Sequence, residues 1–206
     1  MAGLSAARVR ENLERVRERI GDRDVTILAA VKYLPVEDLG ALAEAGIEVA
    51  GENRAQDLQV KANAHPELRW HFIGQLQSRK VKQIVPLVEL IHSVASDSAL
   101  RQLERHGTPD TRVLIEVNVA GEKGKAGIAP DELGDFIARC PVTVSGLMTM
   151  PPYAEDPEAS RPYFAKLADL AADHGLHELS MGTSQDYAVA VEEGATIVRL
   201  GTVLYD

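Results

Sequence analysis

The strongest constraint on this chain is a repeated pattern: eight short apolar runs, six of them followed by a stretch of helical period. The runs are VTILAAV (25–31), IEVAGE (47–52), RWHFIG (69–74), LIHSV (90–94), RVLIEVN (112–118), VTVSGLM (142–148), HELSMG (177–182) and TIVRLG (196–201). Most are continuously apolar rather than alternating, the pattern of parallel strands covered on both faces. Between them lie helical patterns at 35–46, 53–65, 96–107, 130–140, 157–175 and 184–194. Several open on Pro, Ser, Asn or Asp and close near Gly, which is ordinary start and stop chemistry for helices. A leading helix at 4–20 carries Val9, Leu13, Val16 and Ile20 on one stripe.

Eight such runs alternating with helical stretches in 206 residues predict an α/β fold, a (β/α)8 TIM-type barrel of parallel strands at the small end of its size range. A doubly wound open sheet shares the alternation, but the first run leads into VKYLP, with no Gly-rich turn for a dinucleotide. The reading has an extra N-terminal helix and no helix after the last strand, with the leading helix covering the gap. No linker or low-complexity stretch divides the chain, so residues 1–206 are read as one domain.

Composition narrows the function. Lys plus Arg is 22 against Asp plus Glu 31, a net charge of −9, and a field of that sign repels phosphate backbones, which argues against nucleic acid. There is no apolar run long enough for a bilayer and no secretory leader, so the expectation is a cytoplasmic protein with no membrane contact. Cys140 stands alone beside no basic partner and reads as inert. His65, His92, His106, His174 and His177 show no metal-ligand spacing.

Barrels of this kind carry their chemistry at the C-terminal ends of the strands, which turns strand ends into candidates. Lys32 follows the first run directly. There it is expected to be partly desolvated, with a lowered pKa that frees the amine for Schiff-base chemistry; the plain alternative is a lysine snorkelling from the rim. Arg199-Leu200-Gly201-Thr202 closes the eighth run, and closing a barrel sets the first and last strands side by side. Ser180 to Asp186 leads from the seventh run into a helix, where hydroxyls and free N–H groups suit an anion. Each has a bland reading, Ser184 as an N-cap and Gly201 as a turn glycine. Together, an amine, a phosphate cradle and an arginine on one rim suit a small molecule bearing an aldehyde and a phosphate, such as pyridoxal 5′-phosphate.

At this point the chain resembles the pyridoxal-phosphate homeostasis protein family (the YggS/PROSC type), whose fold is related to the N-terminal barrel of alanine racemase. The resemblance runs through LAAVKYLP (28–35), GENRAQDL (51–58), WHFIGQLQSRKVK (70–82), IHSV (91–94), VLIEVNVAGEKGKAGI (113–128), GLMTMPP (146–152) and LSMGTSQDYAVAVEEGATIVRLGT (179–202). It implies a cofactor held as a covalent aldimine on Lys32, phosphate contacts from Ser184, Gly201 and Thr202, and Arg199 facing the pyridine nitrogen. A permanent cation there disfavours protonation of that nitrogen and makes the ring a weaker electron sink. Departures from the family pattern are Val31 for Ser, Gln75 for His, Arg79 for Asn, Ala95 for Asp, Thr183 for Met, and the terminal VLYD.

Asn53 has two readings, a contact to the cofactor or a cap on the next helix. Met148 is either packed on the ring or a core methionine. Lys123 and Lys125 read as a solvated loop, and His71 as a core histidine satisfied by backbone. The implied function is a non-catalytic carrier, a monomer that keeps pyridoxal phosphate in intracellular homeostasis and meets apo-enzymes transiently to release it. The alternative is a pyridoxal-phosphate-dependent amino-acid racemase. That chemistry needs an acid/base group on each face of the α-carbon, and the second domain that supplies one in alanine racemase has no room in 206 residues. A lysine-dependent aldolase is disfavoured by the arginine on the last strand.

Overall fold

A computed structural model describes residues 3–206. The eight strands close on themselves in sequence order, every pair parallel. They are β1 (Thr26–Ala30), β2 (Val49–Glu52), β3 (Arg69–Phe72), β4 (Leu90–Val94), β5 (Arg112–Glu116), β6 (Thr143–Met148), β7 (Glu178–Thr183) and β8 (Ile197–Leu200). Each lies within a residue of the apolar runs or inside them. The barrel predicted from the alternation is the barrel observed.

The helices in chain order are α1 (Ala6–Ile20), α2 (Gly40–Ala45), α3 (Ala55–Ala64), α4 (Val81–Ile84), α5 (Asp97–His106), α6 (Leu133–Ala138), α7 (Arg161–Asp173), α8 (Tyr187–Glu192) and α9 (Thr202–Tyr205). Two of them depart from the expectation. The single turn α4, flanked by 3-10 turns at Ser78–Lys80 and Val85–Leu87, fills the third connection, where no helix was read. Pro86 stops it too early for a helical period to register.

The second departure is α9, one turn after β8 where none was expected. It is held from outside its own sequence. Asn12 Nδ2 donates to the Leu204 carbonyl at 3.0 Å, and the Tyr205 hydroxyl donates to the Ala30 carbonyl at 3.2 Å. The leading helix α1 lies against α2, α8 and α9 and buries Val9, Leu13, Val16 and Ile20, the stripe read from the sequence. It covers the closing seam as expected.

The core has two layers. Inside the barrel, Leu28, Val49, Leu90, Leu114, Met148 and Ile197 meet at the axis. A larger layer lies between sheet and helices, with Phe164, Leu39, Leu42, Leu58, Ile84 and Leu103 among its fully buried members. Side chains alternate along a strand, so the residues two positions beyond the axial layer also point inward. Leu90 is followed by His92, Leu114 by Glu116 and Ile197 by Arg199. The upper end of the barrel is therefore filled with polar groups.

Candidate functional site

The polar groups at the C-terminal end of the barrel are joined in one chain. Arg199, 6 % exposed, donates from NH1 to the Ser180 carbonyl at 2.8 Å and to Ser180 Oγ, and from NH2 to the Thr149 carbonyl at 3.0 Å and to Met150 Sδ. A guanidinium has five N–H groups; four are taken, and Nε–H is left. Ser180 Oγ lies 2.8 Å from His92 Nδ1, and His92 Nε2 lies 3.0 Å from His71 Nδ1. Arg199 has only protons to give, so Ser180 Oγ accepts from it; the two imidazoles continue the chain, with the tautomer of His92 setting which way each of its two bonds runs.

Burial sets the charge states of this chain. It drives His92 far below the ordinary imidazole range and His71 down to about 3, with the nearby cations Arg69 and Arg112 adding to the effect on His71. Both rings are therefore neutral at neutral pH. Burial also brings Arg199 down to about 10, opposed by Glu116 and Asp186, and it stays cationic at neutral pH. Glu116 is raised by its own burial, partly offset by Arg199. His71 is thus satisfied by the imidazole of another strand and not by backbone, which corrects the sequence reading.

The turn after β7 meets the end of β8. Ser184 Oγ accepts from the backbone amides of Gly201 at 3.0 Å and Val203 at 3.4 Å. The plain alternative for Ser184, an N-cap, does not hold, because α8 begins three residues later and Asp186 stands at its N-cap. Asp186 instead braces the turn, accepting from Thr183 N and Oγ1 at 2.8 and 3.1 Å and from Ser160 Oγ at 2.9 Å. Gly182 gives the strand its bend there. Its φ is +90°, and a Cβ would stand 2.6 Å from the Ala190 Cβ. The register between β7 and β8 slips at this point, between Ser180 and Thr183.

β8 pairs with β1, Ala29 opposite Leu200. Continuing that register sets Gly201 beside Ala30, two residues before Lys32. The expected adjacency of the first and last strands holds. One expectation does not: Lys32 is exposed rather than desolvated, and its ammonium sits 4.8 Å above the Tyr33 ring. The cause is the turn Val31–Leu34, in which the Leu34 amide donates to the Val31 carbonyl at 3.0 Å and lifts Lys32 and Tyr33 to the surface. Thr202 is exposed on the same rim.

Asn53 follows β2 and is not the cap of α3, whose N-cap position is Arg54. Its Oδ1 is buried with no hydrogen-bond partner; among the described residues the other such atom is Glu178 Oε2, at the opposite end of β7. Gly74 lets the chain approach here, since a Cβ would stand 2.1 Å from the Asn53 carbonyl oxygen. An amide can present either its oxygen or its NH2 inward, so Asn53 is equipped to meet a ligand. Met148 lies in the axial apolar layer beneath, 3 % exposed. Lys123 and Lys125 are exposed in a loop, Lys125 paired with Glu122. Burial raises the Cys140 thiol, in keeping with an inert cysteine.

Arg199 with one guanidinium N–H unused, Asn53 with its partnerless Oδ1, a serine beside two amides and a surface amine all lie at the C-terminal ends of the strands. That set fits a phosphorylated aromatic aldehyde such as pyridoxal phosphate. Sequence reasoning did not find the parts that hold the set together. The pairs His92–Ser180 and Arg199–Thr149 join residues far apart in the chain, and the buried ion pair Lys61–Glu52 lies behind the rim. A histidine inside LIHSV and a lysine three positions after Leu58 on an apolar helix stripe were the available signals.

Among the described residues no group of three or more His, Cys, Asp or Glu is placed for a metal, and no helix is long and apolar enough to cross a membrane. The family model described as alanine racemase, N-terminal domain, matches residues 4–206. A pyridoxal phosphate homeostasis protein of Aquifex aeolicus is 42 % identical over 97 % of this chain and 95 % of its own. PipY of Synechococcus elongatus, solved with PLP bound, is 30 % identical with a TM-score of 0.83, covering 96 % of this chain and 100 % of that one. Alanine racemase of Corynebacterium glutamicum shares the fold at 15 % identity, with a TM-score of 0.79 over 98 % of this chain and 62 % of the racemase. By its sequence, its barrel and these matches, the chain belongs to the alanine racemase N-terminal domain family and, within it, to the pyridoxal phosphate homeostasis proteins.

Proposed function

We propose that residues 1–206 act as one pyridoxal 5′-phosphate-binding domain, a cytoplasmic monomer that holds the cofactor covalently on Lys32 and yields it to apo-enzymes without turning over a substrate. The observation that carries this reading is the pairing of β1 with β8, which gathers Lys32, Ser184, Gly201 and Arg199 on one rim. The Aquifex relative's name and the PLP-bound PipY structure support it.

Bound at this rim, pyridoxal phosphate supplies an aldehyde that condenses with an amine and a ring that withdraws electrons. Lys32 Nζ would be the amine that holds the aldehyde, and its exposure would leave that link open to water without any part of the barrel opening. Ser184, Gly201 and Thr202 would receive the phosphate, the Gly201 N–H exchanging its present acceptor, Ser184 Oγ, for a phosphate oxygen. Asn53 contacts the cofactor's polar edge, and Met148 closes the floor. Arg199 Nε–H is the donor left to face the pyridine nitrogen, and its fixed charge keeps that nitrogen unprotonated. A ring so held stabilises carbanions poorly, which suits storage better than amino-acid chemistry.

The test mixes the protein with pyridoxal phosphate, removes the excess, and adds an apo-aminotransferase. A visible absorbance band that decays as aminotransferase activity appears supports the carrier. Sustained interconversion of D- and L-alanine by the purified protein would replace it with the racemase reading.

A further inference from the structure

Behind the rim lies an ion pair that the site described so far does not use. Lys61, on the inner face of α3 beside Leu58, is 5 % exposed, and Glu52 at the end of β2 is fully buried. Lys61 Nζ donates to Glu52 Oε2 at 2.6 Å and to the Val31 carbonyl at 2.6 Å. Glu52 Oε1 accepts from the backbone amides of Asn53 at 2.6 Å and Arg54 at 3.2 Å.

Withdrawing both charges from water is costly, and an apolar side chain of similar volume would fill position 61 without that cost. Stability alone therefore does not account for the pair. What it touches does. The Val31 carbonyl is the acceptor that closes the Val31–Leu34 turn, and its second lone pair goes to Lys61. The Val31 amide is already tied to the Gly51 carbonyl at 2.9 Å. The residue between that brace and the exposed tyrosine is Lys32. The other carboxylate oxygen fixes the amide of Asn53, whose side chain holds the partnerless oxygen. One buried pair thus grips the backbone of two rim residues at once.

We infer that Lys61 and Glu52 are positioning residues: a clamp on the Val31 carbonyl and the Asn53 amide that presents Lys32 and Asn53 to the aldehyde. The inference rests on the reading that Lys32 carries the cofactor. It makes the amine's surface exposure compatible with a fixed location, because the turn bearing it is held from beneath.

Replacing Lys61 alone strands a buried carboxylate and risks unfolding. The double variant Lys61→Met with Glu52→Gln removes both charges, and the amide at position 52 still accepts from the Asn53 and Arg54 N–H groups. In the ligand-free protein, hydrogen exchange at the Leu34 amide is expected to quicken at least tenfold, with β5 and β6 amides within twofold of the parent. With pyridoxal phosphate, the rate of borohydride-trappable adduct on Lys32 should fall at least fivefold. Lys61→Arg, which keeps a charged donor, should recover part of both. If either the Leu34 exchange or the adduct rate of the double variant stays within twofold of the parent, the clamp is overturned. A Lys32→Ala control separates the two ideas. If that variant still forms the adduct in full, the anchor reading fails, and Leu34 exchange alone then decides the clamp.

Discussion

Arg199 spends four of its five N–H groups on Ser180, Thr149 and Met150, so it is at once a strut of the barrel and a donor with one hand free. Its place at a strand end was legible in the sequence; its partners were not, because β6 and β7 meet it only after the barrel closes. Arg199→Met removes the donor from two buried carbonyls and a hydroxyl, and should cost about 2–4 kcal/mol in chemical denaturation. Lys32 stands at the other extreme. It is exposed and its ammonium makes only a cation–π contact to Tyr33, so Lys32→Ala should leave stability within about 0.5 kcal/mol of the parent while abolishing the absorbance band with pyridoxal phosphate. The sequence placed this lysine correctly on the rim but mistook its surroundings. A lysine next to an apolar run reads as desolvated, whereas a single hydrogen-bonded turn is enough to carry it into water.

At the scale of elements, the strands were legible because parallel strands buried on both faces write themselves as unbroken apolar runs. Short turns of helix leave no such signature, and α4 and α9, four residues each, were missed for that reason. The β7–α8 connection shows how much a single backbone position decides. Gly182 at φ +90° both bends the strand and admits Ala190, and it aims Ser184 at the amides of Gly201 and Val203. Gly182→Ala should destabilise the fold by about 1–3 kcal/mol and weaken phosphate-dependent binding more than binding of the unphosphorylated aldehyde. The leading helix contributes differently, by packing. Leu13 is 1 % exposed on α1, and Leu13→Ala should cost about 2–5 kcal/mol in thermal or chemical unfolding.

Over the whole molecule, the barrel joins its two ends at the β1–β8 seam and stores uncharged imidazoles in its upper layer. His71 and His92 are held neutral, with folded pKa values below the unfolded value near 6.5. The unfolded chain binds protons in that window that the folded chain refuses, so the contribution of each histidine is complete above pH 6.5 and is lost as pH falls below it, for His71 down to about pH 3. The slope is about 1.4 kcal/mol per pH unit for each histidine. Glu116, raised in the fold by its burial, works in the opposite sense and offsets part of it. Unfolding free energies at pH 7 and pH 5 should therefore differ, and a His92→Gln variant should show a shallower slope.

The carrier role proposed for this barrel depends above all on Lys32 being the amine that meets the cofactor. Borohydride reduction of the protein saturated with pyridoxal phosphate, followed by peptide mass spectrometry, addresses that directly. One modified peptide is expected, with the label on Lys32. Label spread over Lys80, Lys82, Lys123 and Lys125 with Lys32 unmodified would contradict it.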